Sequence, residues 1–300
     1  MTATPTAIDL SRLPAPNAIE PLDFETLFAA FRTRFLAFWD AARLVDPTLP
    51  AYDVGDLETD PVVIAGQAWS YLRLLDRARV NDAVKAVLAP LAKGADLDVV
   101  AARQNLVRLE TAPDVLETDP QFLNRYLLSF DRASAGSAAR LLFDAWSAWP
   151  AMTDARVNGR AVHGRRGETD LVIAGAAGVT PSGRVDDVRA AVTSDEAKPE
   201  AIGIFVIAAT PLAYTVTQVI RVPIGPDAEL VRAEAEARVR AAALERTRIG
   251  GTVQRDLLAG AAFGPSIVGV EHVAPPADVI ASPYQIPVCT AFAITVEVVS

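Results

Sequence analysis

LETDPVVIAGQAWSYLRLLDRARVNDAVKAVLAPLAKGADLD, residues 57–98, organises the reading of the whole chain. Asp60 ahead of Pro61 is a helix entry, because the carboxylate caps the first free amides and proline, lacking an N–H, fits the first helical position. Val62, Ala65, Trp69 and Leu72 follow at intervals of three, four and three; Val80, Val84, Val87 and Leu91 continue at four, three and four. Asp76, Arg77, Arg79, Asp82 and Lys85 load the other positions with charge and read as a solvated face. The spacing predicts one long helix, ended by Pro90 and Gly94.

Helical patterning extends to both sides. In DFETLFAAFRTRFLAFW, residues 23–39, Phe24, Leu27, Phe28, Phe31, Phe35 and Phe38 recur at helical intervals. A core face is the ordinary explanation of such a stripe, and a surface for another chain is the competing one; Phe24, Phe28, Phe31, Phe35, Phe38, Trp69 and Leu72 are therefore candidate interface residues. Residues 1–22 carry Pro5, Pro14, Pro16 and Pro21 among Ile8, Leu10, Leu13 and Ile19 and read as an extended arm. A disordered tail and an arm that orders on a partner both satisfy that pattern. Residues 48–60 read as loop. Beyond the long helix, Asp96 and Asp98 suit turn and capping roles, since an EF-hand would need further oxygen ligands at set spacing. VVAARQNLVRL, residues 99–109, resumes a helical pattern, Asp119-Pro120 is a second helix entry, and Gly136 precedes SAARLLFDAWSAW. Residues 23–150 are read as an all-helical domain.

After Pro150 the period changes. Residues 155–163 and 170–174 read as strands joined by a turn at 164–167, followed by a helix carrying Val185, Val188 and Val192. Strands are expected at 201–209 and 213–222, the second placing Tyr214, Val216, Gln218, Ile220 and Val222 on one face. A helix of about 20 residues opens at Gly225-Pro226-Asp227, with Glu234 to Arg238 and Glu236 to Arg240 at i,i+4 spacing on a solvated face. A short helix at 255–263 and strands at 266–273 and 287–299 complete the chain. The expected class is α+β, with an arm at 1–22, a helical domain at 23–150, a middle α+β domain at 151–224 and a C-terminal α+β domain at 225–300. The uncharged run 289–296 reads either as an edge strand that a second copy covers or as a central strand of its own sheet, and Ala293 and Ile294 join the candidate interface.

Composition narrows the function. The charge of −9 opposes nucleic acid and anionic lipid as general partners. The most apolar stretch, 201–213, is too short to span a bilayer of about 30 Å as a helix, and the first residues do not read as a signal peptide. One cysteine, Cys289, forms no internal disulfide, and with two histidines it makes no common zinc site; an intracellular compartment is expected. His163 sits in a basic turn without a nucleophile beside it, alternation separates His272 from Glu271, and Cys289 reads as a small core residue. Asp186 and Asp187 are adjacent and diverge on a helix; the glycines at 175–178 and 250–251 lack a phosphate-loop lysine and a dinucleotide-turn order. No catalytic, cofactor or metal residue is assigned, and the chain is expected not to be an enzyme.

The order of these features resembles the baseplate J family, the wedge proteins of contractile phage tails and related contractile particles. The matching residues are LETDPVV at 57–63, Arg79 to Ala83, Gly94 to Asp98, the Asp119 helix with Ser134-Ala135-Gly136, Lys198-Pro199, and IGGTVQRDLLAGAAFGPSIVGVEHVAPPADV at 249–279. Lys198 departs from an Arg-Pro common in the family and lacks the planar fork of arginine; the stretch 159–175 is shorter than its family counterpart. The resemblance implies a structural baseplate wedge component with no catalytic site. It would dimerise within a wedge, join a second wedge protein in a ring around the central hub, and lie beside a sheath-initiating protein. Host cytoplasm during assembly and the baseplate of the mature particle are the implied locations, without membrane insertion. A soluble hydrolase with an unrecognised site and a stand-alone protein-binding module are the alternatives.

Overall fold

The computed structural model describes residues 16–54, 57–132, 135–195, 197–199, 201–225 and 227–299, and the chain divides into two compact units with the boundary between Val107 and Arg108. The fold is α+β. Most of the arm, including Pro5, Ile8, Leu10, Leu13 and Pro14, lies outside the described residues, as do Ser134 and Pro226.

The first unit is helical: α1 (Phe24–Val45), α2 (Pro61–Val87) and α3 (Ala95–Ala102). Asp23 caps α1 by accepting from the amides of Glu25 and Thr26, and Asp60 caps α2 by accepting from those of Val62 and Val63. The two helices approach closely at Gly66, where an added Cβ would lie 2.4 Å from the Phe31 ring. Only the missing side chain admits that ring. Helix α3 ends at Ala102, so the helix expected over 99–109 stops short. Asn105 adopts φ of 55°, and the Leu106 amide turns back to the Ala101 carbonyl, a left-handed stop that asparagine tolerates.

The second unit opens with a hairpin, β1 (Glu110–Ala112) and β2 (Val115–Leu116), whose turn places Asp114 at φ 59°. This strand pair interrupts the all-helical reading of residues 23–150. Next come α4 (Asp119–Leu128), α5 (Ala138–Ala148), β3 (Asp154–Asn158), α6 (Arg160–His163), β4 (Glu168–Ala174), α7 (Ser182–Val192) and β5 (Gly203–Ala208). The strand expected over 155–163 ends at Asn158 because Gly159 starts the helical turn α6, closed by Gly164 at φ 78°. Strand β4 pairs antiparallel with β3 and parallel with β5, and Leu141, Trp149, Met152, Leu171, Ile173 and Val188 form the core between this sheet and the helices α5 and α7.

Strand β6 (Thr210–Pro223), helix α8 (Ala228–Glu245), β7 (Thr252–Val253), α9 (Arg255–Ala262), β8 (Gly269–Ala274), β9 (Val279–Ile280) and β10 (Gln285–Val299) follow. The sheet order is β10-β6-β8, with β6 parallel to β10 and antiparallel to β8. Tyr214, Val216, Gln218, Ile220 and Val222 all point to the buried face of β6, as the alternation predicts, and meet Val231, Ala235, Val239 and Leu258 of α8 and α9. Strand β8 starts at Gly269, three residues later than expected.

Residues 151–224 and 225–300 share packing. Val172, Ala174, Ala209, Ile249 and Ile286 form one apolar cluster. Asp154 Oδ2 accepts from the Ile249 amide at 2.6 Å, Asn158 Nδ2 donates to the Pro283 carbonyl at 2.9 Å, and the Tyr284 hydroxyl donates to Asp170 at 2.6 Å.

Candidate partner interface

The inward stripe of α2 is not its most apolar one. Its buried residues are Val63, Gly66, Ser70 and Asn81, with Leu74 and Arg77 half-buried between them. That stripe runs at the same three-and-four spacing as Val62, Ala65, Trp69 and Leu72 but is offset from it by one residue. Small and polar side chains face α1 and the arm, so Trp69 remains 45% exposed and Leu72 62% exposed, alongside the exposed Ile64, Tyr71 and Leu75. Burying these large side chains is worth roughly 1.5–3 kcal/mol each, a gain that the isolated hairpin leaves unrealised.

Helix α1 buries only Leu27. Phe24, Phe28, Phe31 and Phe35 are half-buried, and Phe38 is 66% exposed with the Arg34 guanidinium over its ring. Phe31 stacks with Phe35 at 6.5 Å between centroids and meets Trp69 at 5.7 Å, while Phe35 meets Tyr52 edge-on at 4.9 Å. Phe31, Arg34, Phe35, Phe38 and Trp69 line an open, mostly apolar groove. The Tyr52 hydroxyl donates to Asp60 Oδ1 at 2.5 Å and ties the loop before α2 to its cap; the facing carboxylate pushes the phenol up to about 12 and is itself held low.

The second cluster of candidates lies on β10. This strand is outermost in its sheet and pairs with β6 along its length. Ala293, opposite Thr217, is exposed, whereas Ile294, opposite Gln218, turns into the core and is 5% exposed. Glu297 is the single charge on the strand, and it joins Arg221 at 2.8 Å, which also reaches Glu271 at 3.0 Å.

The residues screened for chemistry stay apart. His163 Nδ1 accepts from the Arg165 amide at 3.1 Å and its Nε2 lies 3.2 Å from the Asn158 carbonyl, while His272 contacts Gln218. Cys289 is half-buried against the sheet core, where burial pushes its thiol up and away from the reactive thiolate. Among the described residues, no three His, Cys, Asp or Glu side chains group as metal ligands, and no helix is long and apolar enough to cross a membrane.

Residues 58–114 match the family model of the baseplate J-like N-terminal domain. Across 95% of its length the chain is 27% identical to baseplate protein J of Escherichia phage P2, covering 96% of that protein. The chain is similar to baseplate protein J over nearly its whole length. That likeness supports a structural part in a phage baseplate and reaches across both units. Several residues that carried the resemblance in the sequence are the ones that hold the local structure. Asp60 caps α2, Asn81 grips the arm, and Gly136 accommodates Pro199, whose Cγ would lie 2.5 Å from an added Cβ.

Proposed function

We propose that this chain is a wedge component of a contractile-tail baseplate, which assembles with itself and a second wedge protein into a ring around the hub and links that ring to the sheath. The observation that carries this reading is the helical hairpin that buries Gly66, Ser70 and Asn81 and presents Trp69, Leu72 and Phe38 outward. A helix with its small residues inward and its large apolar residues outward is built to be completed by other chains. The P2 relative supplies the baseplate context. Strand β10 is the proposed self-association edge: it is long, outermost and nearly uncharged, without the charges that commonly blunt such edges. Ala293 is the outward position through which the edge is perturbed; Ile294 supports it from the core. Assembly in the host cytoplasm precedes incorporation into the particle.

The test is co-expression with the neighbouring tail genes, followed by size-exclusion chromatography and imaging of rings. Trp69→Glu with Leu72→Glu should leave the isolated chain folded, at a cost of about 1–3 kcal/mol for the lost Trp69–Phe31 contact, and should abolish co-assembly. Ala293→Lys should weaken self-association alone. Normal rings from the double variant would overturn the helical part of the proposal.

A further inference from the structure

Gln218 is fully buried at the centre of β6, opposite His272 of β8. Its Nε2 donates to the Leu258 carbonyl of α9 at 2.9 Å and lies 2.9 Å from His272 Nδ1. An amide nitrogen only donates, so His272 Nδ1 must present its lone pair and the ring must be neutral with its proton on Nε2. One amide group therefore clips α9 to the sheet and reads the protonation state of a buried histidine.

We propose that Gln218 and His272 form a proton-sensitive latch between α9 and the β10-β6-β8 sheet. A second proton on the imidazole occupies Nδ1 and sets two donors against each other in the core. Turning the Gln218 amide by half a revolution removes the conflict, since Oε1, buried without a hydrogen-bond partner, then accepts from Nδ1–H. The same turn withdraws Nε2 from the Leu258 carbonyl and puts an oxygen in its place. The proton is thus exchanged for the clip on α9.

The surroundings set the working range. Burial is the main influence lowering the His272 pKa, followed by the Arg255 cation on α9; the Pro275 backbone and then Asp256 on α9 oppose them. Arg255 also donates to the His272 carbonyl at 3.1 Å, which keeps its charge beside the ring. Glu271 points to the opposite face of β8 and takes no part. The latch is closed at neutral pH and opens below the ordinary histidine value of 6.5.

The chain has two histidines, so 15N NMR of the imidazoles resolves His272 once His163→Asn identifies the other. At pH 7.5 His272 should carry its proton on Nε2. On acidification it should titrate below pH 6.5, and over the same range amide exchange in residues 255–262, corrected for its intrinsic pH dependence, should accelerate about fivefold, the effect of one lost hydrogen bond. His272→Phe should make that protection independent of pH. A proton on Nδ1 at pH 7.5, or α9 protection that stays constant while wild-type His272 titrates, overturns the proposal. Both of those measurements use the wild-type chain, so the decision stands even if the phenylalanine variant folds poorly.

Discussion

Asn81 holds the backbone of Glu20 at both of its polar groups. Its Oδ1 accepts from the Glu20 amide at 2.9 Å, and its Nδ2 donates to the Glu20 carbonyl at 2.8 Å. Arg77, one turn earlier on α2, adds an ion pair to the Glu20 carboxylate at 2.7 Å. Because Asn81 is buried, these are its exchange for water. Asn81→Ala should loosen residues 16–22 from α2 at a cost of about 1–3 kcal/mol. Faster exchange at the Glu20 amide, with α3 unchanged, is the expected signature.

Gly66→Ala offers a test with opposed signs. In an ordinary helix interior the change stabilises by about 1 kcal/mol. Here the new Cβ would stand 2.4 Å from a Phe31 ring carbon, and that ring is hemmed in by Phe35 and Trp69. Overpacking should win, with a net loss of about 1–3 kcal/mol in urea unfolding and a changed aromatic circular dichroism signal.

The start of α4 is fastened by a buried ion pair. Arg125 Nε donates to Glu117 Oε1 at 3.0 Å and its Nη2 to Oε2 at 2.7 Å, while the Leu109 amide also donates to Oε2 at 3.0 Å. Arg125→Met should cost about 3–5 kcal/mol, because it strands a buried carboxylate, and adding Glu117→Gln should recover a good part of that loss. A double-mutant cycle by denaturant titration reads the coupling directly. Equal losses from the single and double variants would refute it.

Asp154 gives a pH-dependent expectation. Burial raises its pKa above the ordinary 3.8, and this outweighs the Ile249 and Ala155 amides and the Arg248 and Arg156 charges that lower it. The folded protein therefore holds this proton more tightly than the unfolded chain, and stability contributed by the group falls as pH rises past 3.8 toward the folded value. Asp154→Asn keeps an oxygen for the Ile249 amide and removes the buried charge. Its stability relative to wild type should rise as pH climbs from 4 to 7, and a flat difference across that range in thermal unfolding would contradict the assignment.

Local chemistry was legible from residue order alone. Asp60-Pro61 had to start a helix because a carboxylate and an imino acid fit the first turn wherever it occurs, and the alternation from Tyr214 to Val222 had to place those five residues on one face of a strand. The stop after Ala102 was hidden because it depends on Asn105 taking a left-handed conformation, which competes with a continuous apolar pattern. The buried side of α2 was hidden for a different reason. Two stripes one residue apart have the same period, and which of them faces α1 depends on how close the backbones can come; Gly66 allows an approach that Trp69 would forbid. Whether β10 is central or outermost likewise follows from which strand pairs with β6, a long-range choice that its own apolar run leaves undetermined. Periodicity and capping are properties of the chain, whereas the choice among equally periodic faces and edges is made by contacts between distant segments.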